Sequence, residues 1–167
     1  ITPYSLEQDA DDICAMPIVW VNGPAEIGPR ALGNRSLLGD PRYLSTKDFL
    51  NSVKQREWWR PIAPVVLIED MNAWFEEARE SPFMLSIFNI RKECLSKIPA
   101  IAHHDSSARV QTVALSDNED LYYLIAAFKK KTGIPMLCNT SLNDKGEPII
   151  NTKEPVSYTH LTLPTNR

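Results

Sequence analysis

The sequence predicts a single domain of mixed α/β fold. Short apolar runs rich in β-branched residues alternate along the chain with segments whose apolar residues recur at helical spacing. The chain has 167 residues, of which 43% are hydrophobic, and this is enough to form one core. No segment repeats another. Together these observations favour a sheet with helices packed against it.

The first half of the chain contains two predicted helices and two predicted strands. In order, they are a helix at 7–15, a strand at 18–21, a helix at 45–53 and a strand at 63–68. A loop rich in glycine and proline follows the first strand at 22–33. Ser45 stands three residues before Asp48 and is predicted to cap the second helix, whose apolar residues then recur at helical spacing.

The second half contains three predicted strands and two predicted helices. In order, they are a helix at 72–79, strands at 83–88 and 109–115, a helix at 121–131 and a strand at 134–138. Trp74, Phe75 and Ala78 lie on one side of the first of these helices. The second is the clearest, because its basic end and the stop signal Gly133 are typical of a helix carboxyl terminus.

Composition argues against several classes of function. The net charge of -3 gives no general affinity for polyanions, so nucleic acid is not an expected partner. No run approaches the roughly 20 apolar residues that span a bilayer, and the first residues lack the design of a signal peptide, so we expect a cytoplasmic protein without a membrane partner. Cys14, Cys94 and Cys138 are odd in number and scattered, and we interpret them as core thiols.

The densest chemical feature is the segment KQREWWRP at 54–61, which contains three cations and two adjacent indoles. Pro61 prevents a helix from continuing and favours an extended Arg60. We therefore expect Lys54 at the end of a helix and Arg60 at the entry to the next strand. A solvated basic helix face with two buried aromatic residues is the alternative interpretation.

Two other segments contain candidate ligand-binding groups. In EIGPRALGNRS at 26–36, glycines allow backbone amides to approach an anion, and Arg30, Arg35 and the later Arg42 can hold phosphate or carboxylate. A turn with solvated arginines fits the same spacing, and the order of a Walker-type loop is absent. The segment CNTSLN at 138–143 places polar groups just past a strand end, where ligands bind in open α/β sheets, although a capping turn is also compatible.

His103 and His104 lie in a polar segment that leads to Arg109. Neighbouring residues of an extended chain point to opposite sides, and no second pair of ligands lies at helical spacing. A polar loop that leads Arg109 into a pocket is therefore favoured over a metal site.

These segments together resemble the carboxyl-terminal domain of the NodU/CmcH/TobZ-type O-carbamoyltransferases. The motifs are EIGPRALGNRS at 26–36, KQREWWRPIAP at 54–64, PA at 99–100 with HHD at 103–105 and RVQTV at 109–113, TGIP at 132–135, and NTS at 139–141 with GEPI at 146–149. Their number and order make the resemblance specific. Ser106 and Leu142 stand where relatives usually have glycine and phenylalanine, and the pattern ends after about Lys153.

The resemblance implies a YrdC-like twisted sheet with flanking helices, truncated at its carboxyl terminus. It implies that this domain forms carbamoyl adenylate from ATP and carbamoyl phosphate and releases pyrophosphate. An amino-terminal Kae1-like domain of the same protein, which carries the transition metal, would transfer the carbamoyl group to a hydroxyl of a sugar or natural product. ATP is thus implied as a substrate, with Mg²⁺ expected beside it.

The resemblance also implies roles for individual residues. Lys54, Arg60 and Arg109 would be catalytic, as fixed charges that neutralise two polyanions. Roles in binding substrate or nucleotide are expected for Asn139, Ser141, Arg30, Arg35, Arg56, His103 and Asp105. No residue of this domain is expected to bind a metal.

We expect three parts along the chain. Residues 1–17 are the tail of a preceding region, 18–155 are the YrdC-like domain, and 156–167 are a non-native read-through tail, because they lack periodicity and capping signals. A YrdC-type tRNA threonylcarbamoyl-adenylate synthase and a non-catalytic nucleotide-binding module are the alternative functions. The acidic net charge and the GPRALG segment argue against the tRNA factor.

Overall fold

The computed structural model describes residues 5–151 of the chain. Its strands are β1 (Ile18–Val21), β2 (Arg35–Gly39), β3 (Ala63–Leu67), β4 (Ser86–Asn89), β5 (Ser107–Val113) and β6 (Met136–Ser141). Its α-helices are α1 (Leu6–Ala15), α2 (Leu44–Val53), α3 (Met71–Trp74) and α4 (Glu119–Thr132). Short 3-10 helices cover Ile68–Asp70 and Lys92–Lys97. The tail expected at 156–167 lies outside the described residues.

The described strands form one six-stranded sheet in the order β1-β2-β6-β3-β5-β4. β3 and β5 are parallel, and the other neighbouring pairs are antiparallel. The mixed α/β class predicted from the sequence is confirmed. Helix α1 packs on α4, and its Ala10 and Ile13 belong to the same core as the sheet. The first helix is thus packed with the domain, while the boundary expected at residue 18 stays a prediction.

The helix predicted at 72–79 is wrong. α3 ends at Trp74, and Phe75 becomes extended and pairs as an isolated β-bridge with Ile90. Phe75 is fully buried. Burial of this ring beside the sheet therefore outweighs the helical spacing of the apolar residues.

Other element boundaries differ from the predictions for local reasons. β2 is not predicted at all, because its short apolar core lies within a segment dominated by glycine and arginine. β6 continues through Ser141, so Asn139 lies inside a strand and not beyond its end. β4 starts only at Ser86, since Met84 adopts a positive φ of 56°. The expected cap Ser45 lies inside α2, which begins at Leu44.

Helix α4 ends at Gly133, as the sequence predicts, and begins two residues earlier than predicted, at Glu119. The Asn118 side chain accepts from the backbone N–H of Leu121 over 3.1 Å, and Gly133 closes the helix with a φ of 78°. Lys129 in the last turn binds Asp70 at 2.7 Å and so ties α4 to the segment after β3. None of the described helices is long and apolar enough to cross a membrane.

The three cysteines do not all behave as core thiols. Cys94 and Cys138 are buried, as expected, but Cys14 is only half-buried, beside Arg42. None of them is in a disulfide. Burial raises the pKa of each thiol, which disfavours the reactive thiolate.

The loop between β1 and β2 is fastened by one carboxylate and one indole. Glu26 accepts three backbone N–H groups, those of Leu32, Asn34 and Arg35. The Trp20 indole N–H donates to the Gly33 carbonyl over 2.8 Å. These bonds hold the loop against the sheet in one conformation.

Replacing Gly33 by alanine is expected to destabilise the fold more than replacing Gly28. Both glycines have positive φ angles, 109° and 116°, so alanine is strained at either position. At Gly33 the added Cβ would also overlap Leu121 Cδ2, whereas nothing lies within 4 Å of it at Gly28. We expect Gly33→Ala to lower the free energy of unfolding by about 1–3 kcal/mol more than Gly28→Ala does.

Denaturant unfolding of these two variants measures the difference. Because they share the backbone strain, the difference isolates the contact of Gly33 with α4. Equal losses of stability would contradict the close packing of this loop on the helix.

Candidate functional site

A pocket of about 210 Å³ lies where several separate segments of the chain meet. Four arginines from three segments line it, together with three consecutive residues of β6. The lining residues with polar side chains are Arg30, Arg56, Arg60, Arg109, Asn139, Thr140 and Ser141. We call this volume the arginine pocket. Most of the residues expected to bind substrate are thus brought together from distant parts of the sequence.

The sheet topology explains why these segments meet. β6 runs antiparallel to β3, and Asn139 pairs with Ala63 at the start of β3. β5 runs parallel to β3, so Arg109, near the start of β5, lies at the same end of the strands as Ala63. The arginine pocket therefore lies at the amino ends of the parallel pair. We expected a site at the carboxyl ends of strands. Of β3, β5 and β6, only β6 has its carboxyl end at the pocket, because it runs antiparallel to β3.

The turn between α2 and β3 is held in place by Asn51, a buried residue that the sequence interpretation missed. Its Nδ2 donates to the carbonyls of Trp58 and Arg60 over 3.3 and 2.9 Å. Its carbonyl accepts from the N–H of Arg56 over 2.9 Å. One side chain and its backbone thus fix two of the pocket arginines.

The arginine pocket concentrates positive charge with little compensation. Arg60 Nε donates to Glu57 Oε2 over 2.7 Å, but both side chains are about half exposed, so solvent weakens the pair. Among residues 5–151, no carboxylate lies within ion-pair distance of Arg30, Arg56 or Arg109. Burial lowers the pKa of both Arg56 and Arg109, and neighbouring arginine cations lower it further.

Arg109 has an unused hydrogen-bond donor. Its Nε is buried and has no partner in the described part of the chain. Its NH2 group makes only a long contact of 3.9 Å with the sulfur of Met84. Leaving a buried donor unpaired costs about 1–3 kcal/mol. A ligand oxygen in the pocket would remove this cost.

Lys54 is not a lining residue of the arginine pocket, but it contacts Ser141, which is one. Its Nζ donates to the carbonyl and side-chain oxygens of both Ser141 and Asn143, over 2.5–3.2 Å. Burial lowers the pKa of Lys54 to about 7, the Arg56 cation adds to this effect, and Asp144 opposes it. Lys54 lies at the end of α2, as expected, and in this structure its hydrogen bonds fix the end of β6. Its catalytic role stays a prediction.

Arg35 is directed away from the arginine pocket. Its guanidinium donates to the backbone carbonyls of Asn22, Gly23, Asn34 and Asn151. The side chain is buried, with 7% of the residue exposed. The structure therefore uses Arg35 to join the loop before β2 to the segment after β6, and does not bring it to the other arginines.

His103 and Asp105 form a turn that precedes β5 and lies outside the pocket lining. His103 Nδ1 lies 3.0 Å from Ser107 Oγ, and Ser107 donates its N–H and its hydroxyl to Asp105. Burial lowers the pKa of His103, and the negative charge of Asp105 partly opposes this effect. The turn supports the start of the strand that carries Arg109. Within residues 5–151, no group of three or more His, Cys, Asp and Glu side chains is arranged to hold a metal ion.

Two buried amides connect the pocket to the loop above it. Asn139 Nδ2 donates to Gln111 Oε1 over 2.7 Å and to the Ala31 carbonyl over 3.1 Å. Gln111 Nε2 in turn donates to the Leu32 carbonyl over 2.8 Å. The sequence interpretation did not assign a role to Gln111. A polar residue at a buried position of a strand was the available signal.

The arrangement is suited to binding phosphate groups. Guanidinium groups hold phosphate oxygens with two parallel hydrogen bonds, and several of them surround this pocket. Its volume is below the roughly 300–1,000 Å³ of sites that enclose a drug-sized ligand. The arginine pocket therefore matches a phosphate or a small phosphorylated group, and a nucleoside attached to it would extend outside.

Comparison with known proteins identifies relatives of this chain. Residues 10–164 match a family model described as carbamoyltransferase C-terminus. The 3'-hydroxymethylcephem-O-carbamoyltransferase of Amycolatopsis lactamdurans is 50% identical over 134 residues, which cover 80% of this chain and 25% of that protein. The nodulation protein NolNO of Sinorhizobium fredii is 46% identical over 149 residues, covering 87% of this chain and 22% of that protein. The chain thus spans about a quarter of the length of these curated relatives.

Two solved structures share the fold at low sequence identity. P. abyssi Sua5 complexed with L-threonine has a TM-score of 0.69 at 13% identity, covering 96% of this chain and 45% of that one. Full-length HypF in the phosphate- and nucleotide-bound form has a TM-score of 0.66 at 15% identity, covering 92% and 23%. This likeness confirms the YrdC-like fold expected from the sequence.

Polyphosphates are expected to stabilise the folded chain in the order of their charge. Inorganic tripolyphosphate should raise the midpoint of thermal unfolding more than pyrophosphate, and pyrophosphate more than phosphate, because each added charge meets an unpaired arginine. Arg109→Met should remove most of the shift. Lys130→Met deletes the same charge from a side chain that is 80% exposed, and should retain it. Equal shifts in both variants would show that the anions bind without using the pocket.

The stability of the chain should depend on pH through Lys54. Its pKa is about 7 in the folded state and about 10.4 in an unfolded chain. Between these values the unfolded state binds more protons, so the free energy of unfolding rises with pH. The stability of the wild type minus that of Lys54→Met should therefore increase from about pH 7 to about pH 9.5, measured by denaturant unfolding. A constant difference would contradict the lowered pKa.

Proposed function

Because the chain belongs to the carbamoyltransferase C-terminal family, we propose that its arginine pocket is where ATP and carbamoyl phosphate are converted to carbamoyl adenylate. One observation carries this proposal. Four arginines from three separate segments line one small pocket, and of these four only Arg60 is paired with a carboxylate of the described residues. Uncompensated cations at this density favour a ligand with several negative charges.

The proposed chemistry requires fixed positive charge more than it requires a protein nucleophile. Water first cleaves the bond between the phosphorus and the bridging oxygen of carbamoyl phosphate, which releases inorganic phosphate and leaves carbamate. A carbamate oxygen then attacks the α-phosphorus of ATP, and pyrophosphate leaves. Both reactants are anions, so cations that are already in place lower the cost of bringing them together. The same cations stabilise the charge on the departing pyrophosphate.

Each pocket group has a proposed role in this reaction. Arg60 and Arg109 bind phosphate oxygens as planar forks, and the free Nε of Arg109 supplies one of these bonds. Arg30 and Arg56 add charge around the phosphates. Ser141 orients the substrate through a neutral hydrogen bond.

Residues outside the lining act through the pocket residues. Lys54 contributes positive charge from its position beside the end of β6. A bound polyphosphate would raise the pKa of Lys54 from about 7 and keep its amine protonated. Arg35, His103 and Asp105 support the segments that carry the arginines, through the hydrogen bonds described above.

Mg²⁺ is proposed to enter with ATP. No acidic residue of the described part of the chain lines the pocket, so the ligands of the ion would be phosphate oxygens and water. The ion would neutralise part of the polyphosphate charge while the arginines neutralise the rest.

The second step is proposed to take place on a part of the protein outside this chain. The relative from Amycolatopsis lactamdurans is an O-carbamoyltransferase, and a hydroxyl acceptor on a sugar or natural product is proposed here as well. An amino-terminal Kae1-like domain with a transition metal would carry out this transfer. A cytoplasmic location is proposed because the buried thiols Cys94 and Cys138 are free.

Exchange of labelled pyrophosphate into ATP tests the first step. In the full-length protein we expect exchange only when carbamoyl phosphate is present, because the adenylate must form before pyrophosphate can react back. Arg109→Met should lower the exchange rate about ten- to a hundredfold, since it removes a charge-assisted contact worth about 1.5–3 kcal/mol. Lys130→Met is the matched control and should exchange at the wild-type rate. Exchange without carbamoyl phosphate would refute the proposed reaction.

A further inference from the structure

Asn139 carries a buried acceptor among the residues that line a pocket whose charged groups are all donors. The residue lines the arginine pocket and is 1% exposed. Its Oδ1 is buried and accepts no hydrogen bond from the residues that the structure describes. The guanidinium groups suit the acceptor oxygens of an anion, but Oδ1 requires a ligand that also has an N–H or O–H. The lining therefore combines several cationic donors with one unpaired amide acceptor.

The orientation of the Asn139 amide is determined by backbone carbonyls. Its Nδ2 donates to Ala31 O and to Gln111 Oε1, and Gln111 Nε2 donates to Leu32 O. A carbonyl oxygen can only accept, so reversing the amide of Asn139 or Gln111 would place two oxygens against each other. The chain of hydrogen bonds has one direction, and it leaves Oδ1 as the unpaired end.

Given the proposed function, on which this inference rests, we propose that Asn139 Oδ1 accepts a hydrogen bond from the NH₂ group of the carbamoyl ligand. Gln111 is then a positioning residue for specificity, because it holds Asn139 in the orientation that presents oxygen. A methyl group in place of NH₂ would leave Oδ1 buried and unpaired, and an anionic oxygen would repel it. The arginines remain free to bind the phosphate end.

Gln111 does not contact the ligand directly but acts through Asn139. It is 3% exposed and is not a lining residue of the arginine pocket. Its effect should therefore appear in the choice between ligands that differ at the amide end. A purely structural role would change the affinity for all phosphate ligands in parallel.

Two stable ligands isolate the amide end. Phosphonoacetamide and 2-oxopropylphosphonate have the same shape and charge, carry a carbon in place of the labile bridging oxygen, and differ only in NH₂ against CH₃. Calorimetric titration of the full-length protein should show the amide binding about tenfold more tightly, as expected for one buried hydrogen bond. Equal affinities for the two ligands would overturn the inference.

Variants then identify what sets the preference. Gln111→Leu should reduce the amide preference to about threefold or less, while inorganic phosphate binds as in the wild type. Asn139→Leu removes the acceptor itself and serves if the first variant does not fold. Thr112→Val is the matched control, because Thr112 is a buried neighbour on β5 whose hydroxyl accepts from Ser81 N over 2.9 Å. It should keep the wild-type preference.

The outcomes separate this inference from the proposed reaction. A wild-type preference retained in both Gln111→Leu and Asn139→Leu, or a parallel loss of affinity for every ligand, would overturn the role of the two amides. An amide preference that depends on Gln111 without any pyrophosphate exchange would refute adenylate formation and leave the amide-selecting site in place.

Discussion

The fold has to hold like charges together before any ligand arrives. Arg30, Arg56, Arg60 and Arg109 share one small pocket, and their mutual repulsion is opposed by hydrogen bonds of the segments that carry them. Asn51 fixes the turn before β3 through backbone carbonyls. The sheet supplies the remaining walls. A site built in this way is less stable when empty and gains most from an anion, which is the physical basis of its proposed selectivity for polyphosphates.

The basic residues of these motifs are of two kinds. Some donate their N–H groups to oxygens of the protein, and others keep an N–H group without a protein partner. Arg35 donates to backbone carbonyls, and Lys54 donates to oxygens at the end of β6 and just after it. Arg109 has a buried donor with no partner in the described chain. Arg35 and Lys54 therefore hold in place the segments around the arginine pocket, whereas Arg109 is available to a ligand. The acceptor of Asn139 is free in the same sense, with the opposite polarity.

Local patterns predicted most of the regular elements, and the ordered motifs contain the polar residues that line the arginine pocket. β1, β3 and α4 were predictable because period, caps and breakers agree. The helix at 72–79 failed because burial of Phe75 beside the sheet overrode its spacing. β2 and the extension of β6 are stabilised by pairing with distant strands, which a local pattern does not contain. The sequence likewise does not show that Arg35 faces backbone carbonyls, or that Gln111 orients Asn139.

The central claim is that this domain joins a carbamate oxygen to the α-phosphate of ATP. It is tested most directly by following that oxygen. In the full-length protein, carbamoyl phosphate labelled with heavy oxygen in its carbonyl group should give AMP of which a part carries the label after carbamoyl transfer to the acceptor, because either oxygen of the carbamate can attack the phosphorus. The label is read from the isotope shift of the AMP phosphorus signal. AMP without label, accompanied by carbamoylated acceptor, would contradict an adenylate intermediate and assign a different role to the arginine pocket.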